Sequence, residues 1–249
     1  MGEAQLISFP SDDQLAAAAA EQWLAAIAAA QQVGRKHLVA LSGGRITKKL
    51  FAATVARAKK QKVPFDGVDF FWADERCVSP GDPESNFRLA DENLFRLSRV
   101  RPENVHRIRG ELSPAEAALQ ASKDLAQAAH CAPGALPVLD LVLLGMGEDA
   151  HVASLFPGQA SASDLTSVFL AVANSPKPPP NRVSLGHGVI AAAREVWVLA
   201  SGSGKEGALR ESLSLSGRTP LALVIKNRPS TKVFTDIPTE WTTLIKGRV

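Results

Sequence analysis

Cysteine is scarce in this chain: Cys77 and Cys131 are the only two among 249 residues. Two thiols build no disulfide framework, and neither sits in a CxxC pair of the kind that holds zinc. The chain is therefore read as a protein of a reducing cytoplasm, without a metal. Runs of basic residues are missing as well, and the formal net charge is only +3. That excludes the electrostatic footprint of a nucleic-acid binder and suits a small anionic ligand. No apolar stretch is long enough for a membrane span. The Ala-rich segment 15–32 follows Asp12 and Asp13, is interrupted by Glu21 and lacks a basic leader, so it is not a signal sequence. The glycine turn SGGR at 42–45 has neither the GxxxxGK[ST] spacing of a Walker loop nor GxGxxG.

What is present is ordinary globular composition, 45% hydrophobic and 21% charged. Apolar runs at 37–41, 68–72, 139–145, 182–185 and 195–200 read as buried strands, with further strands expected at 5–9, 105–108, 168–173, 221–225 and 232–235. Helical patterns alternate with them: 16–32, closed by Gly34; 47–60; a segment capped by Ser85 or Asn86 and running to about 97; 113–130; and 189–193. A short helix is expected over VASLF at 152–156. The Pro-rich SPKPPPN at 175–181 reads as a rigid surface connection. Strand and helix alternation indicates an α/β protein with a mostly parallel sheet, and no internal repeat or boundary divides residues 1–249.

Several strands end in polar loops, and in such sheets ligands bind beyond the carboxyl ends of the strands. The apolar run at 139–145 delivers GMGEDAH, where Asp149 and His151 are spaced to hydrogen-bond or line one cleft; a satisfied structural histidine is the competing reading. After 37–41 comes SGGR, in which Gly43 and Gly44 allow close backbone approach to an anion at a helix start. A plain tight turn fits equally. The strand 68–72 ends in Asp74, Glu75 and Arg76. The acids suit either a structural ion pair or a site, and the Arg76 guanidinium can hold a phosphate or carboxylate through two parallel bonds. The strand 195–200 ends in SGSGKEG, which repeats the anion-binding logic with Lys205 supplying a cation.

Four pieces of the chain, LSGGRITKKLF, FFWADERCVSPGDPESNFRLADENLF, LDLVLLGMGEDAHVASLFPG and NRVSLGHGVIAAAREVWVLASGSGKEGALRESL, together resemble the 6-phosphogluconolactonases. These are lactone hydrolases of the pentose phosphate pathway. The resemblance implies a single Rossmann-like α/β domain with helices on both faces of the sheet, related to glucosamine-6-phosphate deaminases, and no cofactor. It implies that His151 is a general base with Asp149 as its partner and that Arg76 and Asp74 fall in the site. Arg182 and Lys205 would grip a sugar phosphate, assisted by Gly43, Gly44 and Arg45. Hydrolysis of 6-phospho-D-glucono-1,5-lactone by a cytoplasmic protein, favoured as a monomer, is the activity implied.

The family pattern SGGSTP is SGGRIT here, and GEDGH is GEDAH, so a positive φ at Ala150 would cost about 1 kcal/mol. His187, an added polar group, is expected on an exposed loop. Two alternatives are an isomerase or deaminase of amino-sugar phosphates and a sugar-phosphate-binding protein with weakened turnover. The deaminases carry Asn-Glu-Pro where this chain has Leu155, Phe156 and Pro157, and loss of that Glu argues for hydrolysis.

Overall fold

The computed structural model describes residues 2–239. Strand β1 (Glu3–Ser8) leaves every second or third position exposed, as an edge strand does. Helix α1 (Asp12–Gln32) is capped by Ser11, whose hydroxyl accepts the Gln14 N–H at 3.3 Å. Asp12 and Asp13 lie in its first turn, where the helix dipole favours acids, and Leu15, Ala19, Trp23 and Ile27 bury one stripe. Then follow β2 (His37–Leu41), α2 (Arg45–Gln61) and β3 (Val68–Trp72). Both strands are buried at every residue, which is why they read as unbroken apolar runs.

A short strand β4 (Asp74–Arg76) turns away from the end of β3. Ser85 caps α3 (Asn86–Ala90), which passes through a π-helical turn at Asp91–Phe95 into α4 (Arg96–Ser98). This region packs on Trp72 through Phe87 and Phe95, with ring centroids 5.8 and 5.9 Å away. Helix α5 (Pro114–Ala128) opens with a complete capping box of Ser113 and Glu116. The remaining elements are β5 (Leu141–Gly145), β6 (Phe169–Val172), β7 (Arg182–Leu185), α6 (His187–Ala192), β8 (Glu195–Ala200), α7 (Glu206–Leu213), α8 (Pro220–Lys226) and β9 (Ser230–Thr235).

Six strands form one parallel sheet in the order β1-β9-β8-β5-β2-β3. The chain moves toward the β3 edge through α1 and α2 and returns toward the β1 edge through β5, β8 and β9. Right-handed crossovers therefore set α1 and α2, which pack on each other, on one face and α7 and α8 on the other. Because the segments after β2 and β5 diverge to opposite faces, a crevice opens between the carboxyl ends of these neighbouring strands. A second, antiparallel sheet, β4-β7-β6, stands beside that crevice.

Three local expectations fail. Residues 221–225 lie in helix α8, not in a strand: Thr219 accepts the Ala222 N–H at 3.1 Å and Pro220 occupies the first turn. This is a helix start that a short apolar run conceals. VASLF is not helical, since Ala150 and Ala153 adopt φ of 61° and 50° and Val152 and Leu155 close a tight turn instead. Residues 105–108 contribute one parallel bridge, Val105 to Phe70, and no strand.

Candidate active site

Each wall of the crevice comes from a strand end. Ser42, just past β2, donates its hydroxyl to the Leu143 carbonyl at 2.7 Å, tying the SGGR turn to β5. Gly43 lets Asn86 pack against the same turn, because a Cβ there would sit 1.9 Å from Asn86 Oδ1. Gly44, at φ 101°, caps α2 without a side-chain bond, so the first-turn N–H groups of a 17-residue helix stay available to an anion.

After β5, Gly147 leaves room for the His151 ring, since a Cβ at 147 would meet Nδ1 at 2.1 Å. His151 Nδ1 and Asp149 Oδ1 are 2.5 Å apart, and the ring leans on Phe156 with centroids 4.7 Å apart. Burial pushes the His151 imidazole below its ordinary range against the opposing pull of Asp149. Burial is the largest single influence on Asp149 and works against its charge, but the bonds and charge of His151 together with the Lys177 charge outweigh it and hold that carboxyl low. The pair is thus a carboxylate holding a neutral imidazole by its Nδ1–H. Nε2 makes no hydrogen bond among the described residues.

The second sheet supplies Asp74, Arg76 and Arg182. Asp74 Oδ2 accepts the Ser154 hydroxyl at 2.7 Å, and Arg182 Nη1 lies 3.9 Å from the same oxygen. Asn86 Nδ2 donates to the Asp74 carbonyl at 2.8 Å. Between them, Glu75 is buried and accepts the N–H groups of Arg76, Asn86 and Phe87 at 2.7 to 2.8 Å. It fastens β4 to the start of α3, and burial pushes its carboxyl up to about 7. Arg76 donates to the Glu84 carbonyl at 2.6 Å through Nη1, while its buried Nε has no partner among the described residues.

At the other side, Asp236 anchors the turn after β8 by accepting Ser201 Oγ at 2.9 Å and the Gly202 N–H at 3.0 Å. Lys205 follows that turn. Burial lowers its ammonium from the ordinary value, with the Arg45 charge adding to the effect. Among the described residues, neither Arg45 nor Lys205 has an ion pair or side-chain hydrogen bond.

These groups surround a cavity of about 600 Å³. Of the residues expected from sequence, His151, Arg76, Asp74, Gly43, Gly44, Arg45, Arg182 and Lys205 line it, and Asp149 is bound to His151 behind it. They fall into two groups. Arg182 belongs with Asp74 and His151 rather than with Arg45 and Lys205. Lining residues absent from the sequence expectation include Lys49, Asn86, Glu148, Lys177 and Asp236; only GMGED adjacency could have pointed to one of them, Glu148. His187 is not on an exposed loop: it is buried at the start of α6, away from the cavity, with Nε2 3.0 Å from Asn227 Nδ2. Among the described residues no group of three or more His, Cys, Asp or Glu is arranged to hold a metal, and no helix is long and apolar enough to cross a membrane.

Residues 10–234 match the family described as glucosamine-6-phosphate isomerases/6-phosphogluconolactonase. The chain belongs to this family. A 6-phosphogluconolactonase of Streptomyces coelicolor is 37% identical over 222 residues, covering 86% of this chain and 84% of that protein. The solved structure of a 6-phosphogluconolactonase from Trypanosoma cruzi superposes with a TM-score of 0.80 at 25% identity, covering 94% of this chain and 96% of the other. A monomeric glucosamine-6-phosphate deaminase shares the fold, with a TM-score of 0.78 at 17% identity over 96% of this chain and 99% of its own. The family scaffold thus carries more than one chemistry, and the side chains must decide between them.

Proposed function

We propose that the chain hydrolyses 6-phospho-D-glucono-1,5-lactone to 6-phosphogluconate, as a cytoplasmic monomer that needs no cofactor. One observation carries the reading: His151, held by Asp149 at 2.5 Å, faces a cavity that also holds Arg45 and Lys205, which have no ion pair among the described residues. A lactone is an activated ester, so its hydrolysis needs a base for water, donors for the oxyanion and a grip on the distant phosphate.

In this reading Nε2 of His151 removes a proton from water as the oxygen attacks C1. Electrons of the carbonyl move to its oxygen, where the positive charge of Arg76, which lines the cavity, stabilises the developing charge. The tetrahedral intermediate collapses by breaking the bond from C1 to the ring oxygen, and His151 returns its proton to that oxygen. Asp149 keeps the imidazole in the Nδ1–H tautomer and stabilises the transient imidazolium. The phosphate lies against Arg45, Lys205 and the first-turn amides of α2, and this remote binding positions the ring. Arg45 thereby replaces the hydroxyls of the SGGSTP pattern. Arg182, whose Nε and Nη2 donate to the Pro-rich loop, serves the wall of the site rather than the phosphate.

The test is the decay of 6-phosphogluconolactone at mildly acidic pH, where spontaneous opening is slow, with and without the protein. Acceleration, with no ammonia released from glucosamine 6-phosphate, is expected. Ammonia release would assign the deaminase chemistry, and tight sugar-phosphate binding without either reaction would make this a binding protein.

A further inference from the structure

The Pro-rich segment 175–181 has no part in the chemistry above, yet it reaches the cavity through Lys177. Its backbone closes on itself. The Ser175 N–H donates to the Pro180 carbonyl at 2.8 Å, and the Ser175 hydroxyl donates to the Lys177 carbonyl at 2.9 Å. Arg182 fills the ring so formed: Nη2 donates to the carbonyls of Lys177 at 3.1 Å and Pro178 at 2.9 Å, and Nε to that of Pro179 at 3.1 Å. Three of the five N–H bonds of the guanidinium are thus spent on one loop, and the side chain is only 4% exposed. Pro176, Pro178, Pro179 and Pro180 restrict the same backbone further. What this construction presents is the Lys177 ammonium, 3.5 Å from Asp149 Oδ1, the oxygen that also holds His151.

We propose that Lys177, mounted on the Arg182 clamp, is a positioning residue for the His151–Asp149 pair: its charge pins Asp149 Oδ1 against the ring and opposes a second proton on the imidazole. The chemical meaning of this rests on His151 acting as the base. The charges facing His151 are few. Asp149 on its own loop and Asp74 from β4 favour the imidazolium, whereas Lys177 from the Pro-rich segment disfavours it. Arg182, seated across Phe156 with Cζ 5.6 Å from that ring, faces Asp74, and Arg76 lines the same cavity. Without Lys177 the two carboxylates act on the imidazole with one opposing cation fewer, and the proton is held more tightly.

The experiment compares the full chain with its Lys177→Met and Lys177→Arg variants through two readouts, the pH profile of kcat/KM for the lactone and the NMR titration of the His151 ring. Lys177→Met should raise both midpoints by about half a pH unit, and Lys177→Arg should restore them. Arg182→Lys, checked for folding by thermal melt, should reproduce the Lys177→Met shift because an ammonium cannot hold three carbonyls of the ring. Unmoved midpoints in Lys177→Met, or a rise in KM as its sole effect, overturn the inference. The ring titration needs no turnover. A protein without lactonase activity whose His151 midpoint still moves in Lys177→Met keeps this inference while the proposed reaction fails.

Discussion

At the amino end of the six-stranded sheet, Asp140 is shared by Arg35 at 2.5 Å and Arg194 at 3.2 Å and also accepts the Leu38 N–H at 2.9 Å. Nearby, Lys36 pairs with Asp69 at 2.8 Å and Lys232 with Glu195 at 2.9 Å. At the carboxyl end, Arg45 and Lys205 converge on a cavity without an ion pair of their own among the described residues. The strands are the same, but one end spends these charges on holding strands together, while the other, beside paired groups such as Arg182 and Asp74, keeps Arg45 and Lys205 in reserve. Reserve charge costs stability, because the half-buried Lys205 is partly desolvated and the Arg45 charge opposes its own. That is the expected signature of a place where the missing anion arrives with a ligand.

The strongest way to break this contrast is to treat two histidines alike, buried His37 and half-buried His151. Burial pushes His37, at the amino end, down to about 4, and lowers His151 at the other. His151→Ala should cut lactone turnover by roughly 10²- to 10⁴-fold, the usual worth of general-base assistance, while His37→Gln should leave turnover per folded molecule unchanged. The wild-type acidic limb should lie below about pH 6.5, the ordinary imidazole value. The sign follows from the base role: a lowered pKa keeps Nε2 unprotonated further into acid, and activity falls only as pH drops through that lowered value. Steady-state rates across pH for the three proteins check all of this, and equal losses in both variants would erase the contrast.

Next in size is the cation pair. Lys205→Ala should weaken binding of 6-phosphogluconate by about 10- to 100-fold, the worth of one charge-assisted contact, and Arg45→Ser by somewhat less. Neither should lower the melting temperature, since neither side chain holds another part of the protein. Asp140→Ala should do the reverse. Removing a carboxylate that serves two guanidiniums and a backbone N–H should cost about 2–3 kcal/mol of stability without altering 6-phosphogluconate affinity. Titration calorimetry and thermal melts on the three variants separate the two ends; a Lys205→Ala protein that binds normally but melts early would place it with the structural charges.

The buried strands were legible because their apolar runs are uninterrupted: β2, β3, β7 and β8 begin and end where those runs do. The polar loops after them were legible for the same reason, as abrupt changes of composition. What escaped depends on distance along the chain. Nothing in Lys177 or Asn86 announces that 28 residues separate one from Asp149 while the other touches Gly43, because sheet order alone brings them together. The α8 run is apolar at consecutive positions since it is buried nearly all round, so its period carries no information. His187 was misplaced because its partner, Asn227, lies 40 residues away. Arg182 lines the cavity, but its bonds to three carbonyls of the preceding loop follow from a folded ring that no spacing reveals.

The smallest expected effect lies within the His151 loop itself. Ala150 is buried at φ 61°, a left-handed conformation that L-residues enter at a cost. Its N–H belongs to the turn that sets Asp149 against His151: the Ala150 N–H donates to the Gly147 carbonyl at 3.0 Å, and the Gly147 N–H donates to the His151 carbonyl, also at 3.0 Å. The turn is therefore closed on both sides and holds the strained residue in place. Ala150→Gly removes the steric cost but loosens the unfolded chain, so the gain is the difference of two terms, about 0.5–1 kcal/mol. That corresponds to roughly 2 °C in melting temperature for a chain of this size. Turnover should change less than twofold, because the closed turn and not the methyl group fixes the ring. A large gain in turnover would mean instead that Ala150 displaces His151, and that the carboxyl end of this sheet carries strain as well as unpaired charge.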